Sequence, residues 1–383
     1  MQQFGDGSDQ FLNASDRGTT YVSRIQCVKA AIDSQINDMA NGASDRKIGI
    51  VTFNNEVQVI GDGTKEPVTI TGDHLNNFDH LQNNGKIQAT ERLNKPVSET
   101  KDVLKAKLDA IEETGPTALG PGILTAVAMA AEGSAGSSVV ICTDGLANIG
   151  LGAFDECRTE ADSLAAQKFY ERIGTIASTA GVTINIVSIE GDECNLDSLS
   201  SLAELTGGKV ERVNPTTLTQ DFANMLSLPV IATNVEAKVK LHKGLTFRNE
   251  MAADLSDDRS LLARRFGNTT AETVFTFEYG MKPISELLEM EDLDMGAITH
   301  FPFQTQIKYT ALDGSKCLRV ISKQMEVSGE REELNQQVNS SLLQKNCVQK
   351  GTQMARAGNI REAQAIMKGF KRQVNKQMAP MQQ

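Results

Sequence analysis

Between Val97 and Leu226 the chain alternates amphipathic helical stretches with short runs that are apolar on both faces. The runs are Ser138–Thr143 (SVVICT) and Val182–Ile189 (VTINIVSI), and a further strand is read at Lys209–Val213. A strand that is apolar at every position has no face to offer water, so it belongs inside a sheet covered on both sides. The stretches between the runs have helical spacing: 97–111 through Val103, Leu104, Leu108 and Ile111, then 123–132, about 161–180, 196–205 and 218–226. Helices between buried strands are the crossovers that parallel strands require. The fold class read from this is α/β, a doubly wound and mostly parallel sheet.

Upstream, Ile25, Val28, Ala31, Ile32, Ile36 and Met39 recur near the helical period. Lys47–Phe53 (KIGIVTF) reads as a strand, and a turn at Asn54 and Asn55 leads to a second strand, Val57–Ile60, stopped by Gly61-Asp62-Gly63. Residues 61–95 are polar, Asn-rich and without a period, and are expected to form a long surface insertion. Past Pro229 the period becomes two. Val235, Ala237, Val239 and Leu241 alternate with polar residues, as do Val274, Phe275, Phe277 and Tyr279, and 304–311 and 317–327 continue the style, which predicts an antiparallel β-sandwich. Helical spacing returns over 332–357 and 360–374, broken at 357–359. The expected division is 1–228 for the α/β domain, 229–328 for the sandwich and 329–383 for a helical hairpin and tail.

A formal net charge of -11 argues against a nucleic-acid or anionic-membrane surface, because polyanions need a basic face. No apolar run approaches the roughly 20 residues of a membrane span, so no membrane insertion is expected. The N-terminal residues lack the basic and apolar regions of a signal peptide. Cys27, Cys142, Cys157, Cys194, Cys317 and Cys347 are scattered without a C-x-x-C pair, as reduced thiols of a cytoplasmic protein would be.

In a doubly wound sheet, ligands gather at the carboxyl ends of the strands. Two loops fall there: Thr114–Gly122 (TGPTALGPG) and Thr143–Asn148 (TDGLAN). They offer the Thr117 hydroxyl and the Asp144 carboxylate as candidate metal ligands, hard oxygens suited to Mg²⁺. Two ligands are too few for tight binding. Plainer roles stay open for both, Asp144 as a turn cap and Thr117 as the N-cap of the following helix. Gly115–Gly120 has half of a phosphate loop, but Pro121 stands where lysine is needed. No nucleophile elbow, H-E-x-x-H or Cys/His constellation is present, and His74 and His80 lack zinc-spaced partners. The expectation is a protein that is not an enzyme.

The order GIVTFNNEV, TGPTALGPG, VVICTDGLAN resembles the von Willebrand factor A fold. By position, Thr117 and Asp144 match two ligands of that family's metal-ion-dependent adhesion site. The family's first element, an apolar strand ending in D-x-S-x-S, has no counterpart; Asp6-Gly7-Ser8-Asp9-Gln10 offers only D-x-S-x-Q, with no apolar strand before it. Phe303–Val320 (FQTQIKYTALDGSKCLRV) resembles the β-sandwich signature of COPII inner-coat subunits, and the whole layout is similar to the A-domain region of the circularly permuted Ras protein family. The resemblance implies an N-terminally truncated A-like domain whose Mg²⁺ binding is weak or absent. It implies a protein–protein interaction module with a degenerate divalent-cation adhesion site, its protein partner contributing an acidic side chain. The alternatives are a vesicle-coat or trafficking scaffold, or a fragment of a Ras-like GTPase-linked regulator. The missing strand is central in that fold, so two inner edges are expected to face a gap or to pair directly, with unsatisfied backbone groups costing ~1–3 kcal/mol each. The oligomeric state is left open.

Overall fold

The computed structural model describes residues 9–15, 18–112, 115–143, 147–154, 159–189, 196–214, 217–290, 298–327, 339–356 and 358–378. Two compact units result: one of residues 1–236, 265–272 and 308–317, the other of 237–264, 273–307 and 318–383.

In the first unit, strands β1 (Asp9–Ser15) and β2 (Gly18–Ser23) form an antiparallel hairpin that pairs only with itself. Helix α1 (Arg24–Gly42) follows at once, with Ser23 as its N-cap in a capping box with Gln26. Strands β3 (Ile50–Phe53), β4 (Val57–Gly61) and β5 (Val68–Ile70) make one antiparallel sheet. After α2 (Phe78–Arg92), α3 (Val97–Asp109) and α4 (Leu119–Ala131) come the strands of a second sheet, β6 (Ser138–Thr143), β7 (Thr183–Ile189) and β8 (Val210–Val213). These three are parallel, with α5 (Glu160–Ala180) and α6 (Leu196–Thr206) as crossovers and α7 (Leu218–Leu226) after β8. Every residue of β7 is buried, the predicted consequence of an unbroken apolar run with cover on both faces.

The two sheets do not join. Among the described residues, no strand pairs with β3 on the side away from β4, or with β6 on the side away from β7. Helices hold the halves together. On one face α1 places Cys27 and Ala31 against Val187, Ile189, Val213 and Phe222, and one turn further on Ile36 against Ile50, Ile60, Leu104 and Leu108. Ile32 touches both groups. On the other face Leu119, Ile123, Leu124 and Val127 of α4 pack in one cluster that holds Val57 and Ile70 of the first sheet and Ile141, Ile184 and Ile186 of the second.

The expected surface insertion over 61–95 is corrected. It contains β5, a 3₁₀ turn at Gly72–Asn76 and α2, which packs along α4. The buried positions of α2 are Leu81, Gly85, Gln88 and Ala89, at helical spacing but with only one large apolar side chain. Small residues let the helices approach: a Cβ on Gly85 would lie 2.6 Å from the Thr125 carbonyl oxygen. A helix that packs by closeness leaves little hydrophobic period to read.

The second unit holds most of the predicted sandwich. A four-stranded sheet has the order β11 (Leu261–Thr270), β9 (Val230–Lys240), β13 (His300–Thr310), β14 (Lys316–Glu326), and β10 (Leu245–Arg248) pairs with β12 (Glu278–Met281). Val239, Leu262 and Phe301 from the larger sheet and Leu245 and Phe247 from the smaller share one core. Arg264 is held between Glu250 (2.9 Å) and Asp254 (3.2 Å). The sequence expectation of a strand through Val274 and Phe275 is corrected: 273–277 precede β12 without ladder bonds of their own, and Thr276 instead gives its N–H and hydroxyl to Gln349 Oε1 (3.2 and 2.5 Å). Gln349 lies on α9 (Ser340–Arg356), which packs against α10 (Ile360–Met378) as the expected hairpin. A short helix, α8 (Ile284–Leu288), precedes β13. The expected helix residues 332–338 lie outside the described residues.

Two predictions follow from these contacts. Thr206 is fully buried; its hydroxyl donates to the Leu202 carbonyl (2.9 Å) and accepts from the Ile184 N–H (3.0 Å). Thr206→Val keeps the shape but strands the β7 amide, and should cost about 1–3 kcal/mol in a denaturant titration. Asp62 is buried where β4 ends and accepts from Thr64 N and Oγ1, Asn94 N and Lys95 N. Burial alone would raise its pKa, but these bonds prevail and hold it below the ordinary 3.8. A lowered carboxylate stabilises the fold above its unfolded value and loses that contribution as pH falls through the folded value. Unfolding free energy measured from neutral pH downward should therefore fall through and below the ordinary carboxylate range, and Asp62→Asn should flatten that dependence while lowering stability at neutral pH.

Candidate functional site

Three chain segments meet at the carboxyl ends of β3 and β6. Asn54 closes β3, and its carbonyl accepts the Ala118 N–H at 2.7 Å. Ala118 belongs to the segment leading into α4, and Thr117 beside it faces the segment after β6. There the Asn148 Oδ1 accepts the Thr117 N–H at 2.5 Å, while the Asn148 N–H returns to the Thr117 carbonyl at 3.1 Å. The Ile149 N–H also reaches that carbonyl, at 3.4 Å. The loops bracketing the two candidate ligands are thus laced together by backbone and asparagine bonds.

Thr117 is half-buried. Its capping alternative is removed: α4 starts at Leu119 with Ala118 as N-cap, and no side chain caps it. The hydroxyl therefore has no capping role at this helix. Asp144 lies outside the described residues; Thr143 before it is buried at the end of β6, and Ala147 after it is buried as well. Asp6, Ser8, Asp192 and Glu193 also lie outside the described residues. Asn148 and Asn54 are the site residues that sequence reasoning passed over. Asparagine in a strand-end loop was the available signal, since its side chain satisfies neighbouring backbone groups.

The glycines of Thr114–Gly122 serve packing. A Cβ on Gly120 would lie 2.0 Å from the Leu151 carbonyl oxygen, so only glycine lets the segment after β6 rest on the start of α4. Pro121 and Gly122 are buried, and the loop offers no lysine to a phosphate.

The described residues do not complete a cation site. A divalent ion of the Mg²⁺ type wants octahedral oxygen ligands; of the two candidate ligands only Thr117 is among the described residues, and among these no group of three or more His, Cys, Asp or Glu gathers. His74 and His80 stack on each other, ring centroids 4.1 Å apart, instead of converging on a metal with other ligands. Among the described residues, the thiol nearest the strand ends is Cys142. Part of the residue is exposed, but the sulfur is enclosed, and burial pushes its pKa up to about 12, too high for a nucleophile. Cys27, Cys142, Cys317 and Cys347 are all free, as the scattered spacing predicts; Cys157 and Cys194 lie outside the described residues.

Comparison with known proteins agrees with this geometry. The Sec23/Sec24 trunk domain is matched over residues 19–226. Circularly permutated Ras protein 1 of Dictyostelium discoideum is 31% identical over 360 residues, which cover 93% of this chain and 40% of that protein. The chain thus spans about two fifths of that relative's length. The crystal structure of the human COPII-coat protein Sec24c superposes with a TM-score of 0.59 at 14% identity, over 91% of this chain and 48% of that one. A von Willebrand factor type A protein from Catenulispora acidiphila gives 0.50 at 16% identity, over 92% and 77%. The fold and the match over more than half its length agree: the chain belongs to the Sec23/Sec24 trunk domain family and carries its von Willebrand factor A-like α/β architecture.

Proposed function

We propose that this chain is a cytoplasmic, non-catalytic protein-binding module whose strand-end loops form a degenerate divalent-cation adhesion site. One observation carries the reading: the Thr117 hydroxyl, free of any capping role, stands where the loops after β3 and β6 are tied together by Asn148 and Asn54. An A-domain of this kind binds a partner's acidic side chain through a cation at that place, and the same edge with too few oxygen ligands binds its partner through the loops themselves. Protein binding also suits the family, whose relatives include a vesicle-coat protein. The 31% identity to a Ras-related protein favours a second reading, in which the same surface serves as the protein-binding part of a GTPase-linked regulator.

The cation question has a decisive magnitude. A site with micromolar affinity would add about 4 kcal/mol of stability at a thousandfold excess of Mg²⁺ and raise the Tm by several degrees. The degenerate site predicts a Tm unchanged by Mg²⁺ in the wild type and in Thr117→Ala alike; a Mg²⁺-dependent rise that Asp144→Ala abolishes would overturn it. For the binding role, affinity capture with the full chain should recover partners that survive EDTA and are lost on Thr117→Arg, which fills the strand-end cleft. Equal recovery by Thr117→Arg would remove these loops from the binding surface.

A further inference from the structure

We infer that the outer face of α10 is a docking surface for an acidic amphipathic helix of a partner protein. It is a second binding surface, independent of Thr117 and of any cation. Residues 340–378 carry eight Lys and Arg against one acidic residue, Glu362, in a chain whose formal net charge is -11. On α10 this charge is one-sided. Arg361, Lys368, Lys371 and Arg372 are all exposed. At 3.6 residues per turn they share the face opposite buried Ala363 and half-buried Ile366 and Phe370, the side that packs on α9. Among the described residues none of the four takes part in an ion pair, whereas Lys350 of α9 is buried against Glu278.

A helix face that only meets solvent usually mixes its signs, so that neighbours three and four residues apart attract. Here they repel: Lys368 is followed by Lys371 and Arg372 at those spacings, and Glu362 has no basic residue three or four positions away. The carboxylates of a partner would relieve that repulsion and form charge-assisted hydrogen bonds. Beside the basic row runs an apolar edge. Ile360 is 58% exposed and Met367 44%, and their spacing of two turns puts them on one side of the helix. Row and edge together specify the occupant, a segment with carboxylates along one stripe and apolar side chains at helical spacing along the next. From Ile360 to Arg372 the surface is about 18 Å long, room for a helix of about 13 residues. An anionic bilayer fits less well, because a membrane-surface helix buries its apolar face in lipid and here that face is taken by α9. A bilayer or a nucleic acid also meets the negative charge of the whole chain, whereas a short segment senses charges within a Debye length of about 8 Å.

The probe is a fluorescein-labelled synthetic peptide of about 14 residues, leucine at helical spacing and glutamate elsewhere, titrated with the full chain and read by fluorescence anisotropy. The expected result is saturable binding of one peptide per chain. Reversal of the row (Lys368→Glu, Lys371→Glu and Arg372→Glu together) should weaken it at least about tenfold, and Ile360→Ser about threefold. Because these side chains are exposed, both variants should keep the circular dichroism spectrum of the wild type; Lys371→Gln, a milder change, should still weaken binding measurably. A peptide with glutamine in place of glutamate, or with the same composition and its leucines out of helical spacing, should bind at least about tenfold less well. Absence of binding, equal binding by the reversed variant, or equal binding of the rearranged peptide would overturn the proposal. So would co-sedimentation with vesicles of about 30% phosphatidylserine, or binding of an RNA oligonucleotide, that the reversal abolishes while the acidic peptide fails to bind. Thr117→Arg should leave peptide binding unchanged, so this surface and the strand-end site fail separately.

Discussion

The first unit stands on helices that span a break in its sheet. Backbone hydrogen bonds ordinarily carry a sheet from edge to edge, and among the described residues they stop at β3 and resume at β6. What continues is apolar contact. Ile32 lies where the two clusters under α1 touch, and α4 reaches strands of both sheets from the other face. Hydrophobic burial is non-directional, so it bridges a break that hydrogen bonds cannot. The strand-end loops add a polar tie at one edge of the same break, through Thr117, Ala118, Asn148 and Asn54.

That arrangement links stability to function. The ends of β3 and β6 are where Thr117 is tied in, and among the described residues no strand pairs with either of these two on its inner side. Anything that sets the distance between these strands also sets the spacing of Thr117 from the segment after β6. The α/β unit is thus a scaffold whose candidate binding edge lies at the break in its sheet.

Much of this was legible in the residues. The unbroken runs SVVICT and VTINIVSI became parallel strands with matching bounds, because burial on both faces leaves a signal that needs no period. The position of Thr117 in a strand-end loop before a helix was legible, and its capping alternative failed for a reason only coordinates show, that α4 begins two residues later with Ala118 as its cap. Residues 61–95 misled because α2 packs through Gly85 against Thr125 and Ala128, and sets Ala89 in a small cluster with Val59 and Met129, where closeness replaces hydrophobic bulk. Asn148 was passed over for a related reason: its side-chain oxygen and its N–H both bond to the Thr117 backbone across 31 residues of sequence, which no local pattern announces.

The separation of β3 from β6 is the claim on which the rest hangs, and cysteine cross-linking tests it directly. A disulfide needs Cα atoms within about 7 Å, a distance met by neighbouring strands and not by strands with room for another between them. Oxidation of the full chain carrying Ile141→Cys and Ile186→Cys, register partners on β6 and β7, should give a cross-link. Cysteine pairs at Val51 or Thr52 with Val139 or Val140 should give none. Ready formation of a β3–β6 disulfide in the folded chain would mean that the two edges pair directly, and the account of a helix-bridged, open sheet would be wrong.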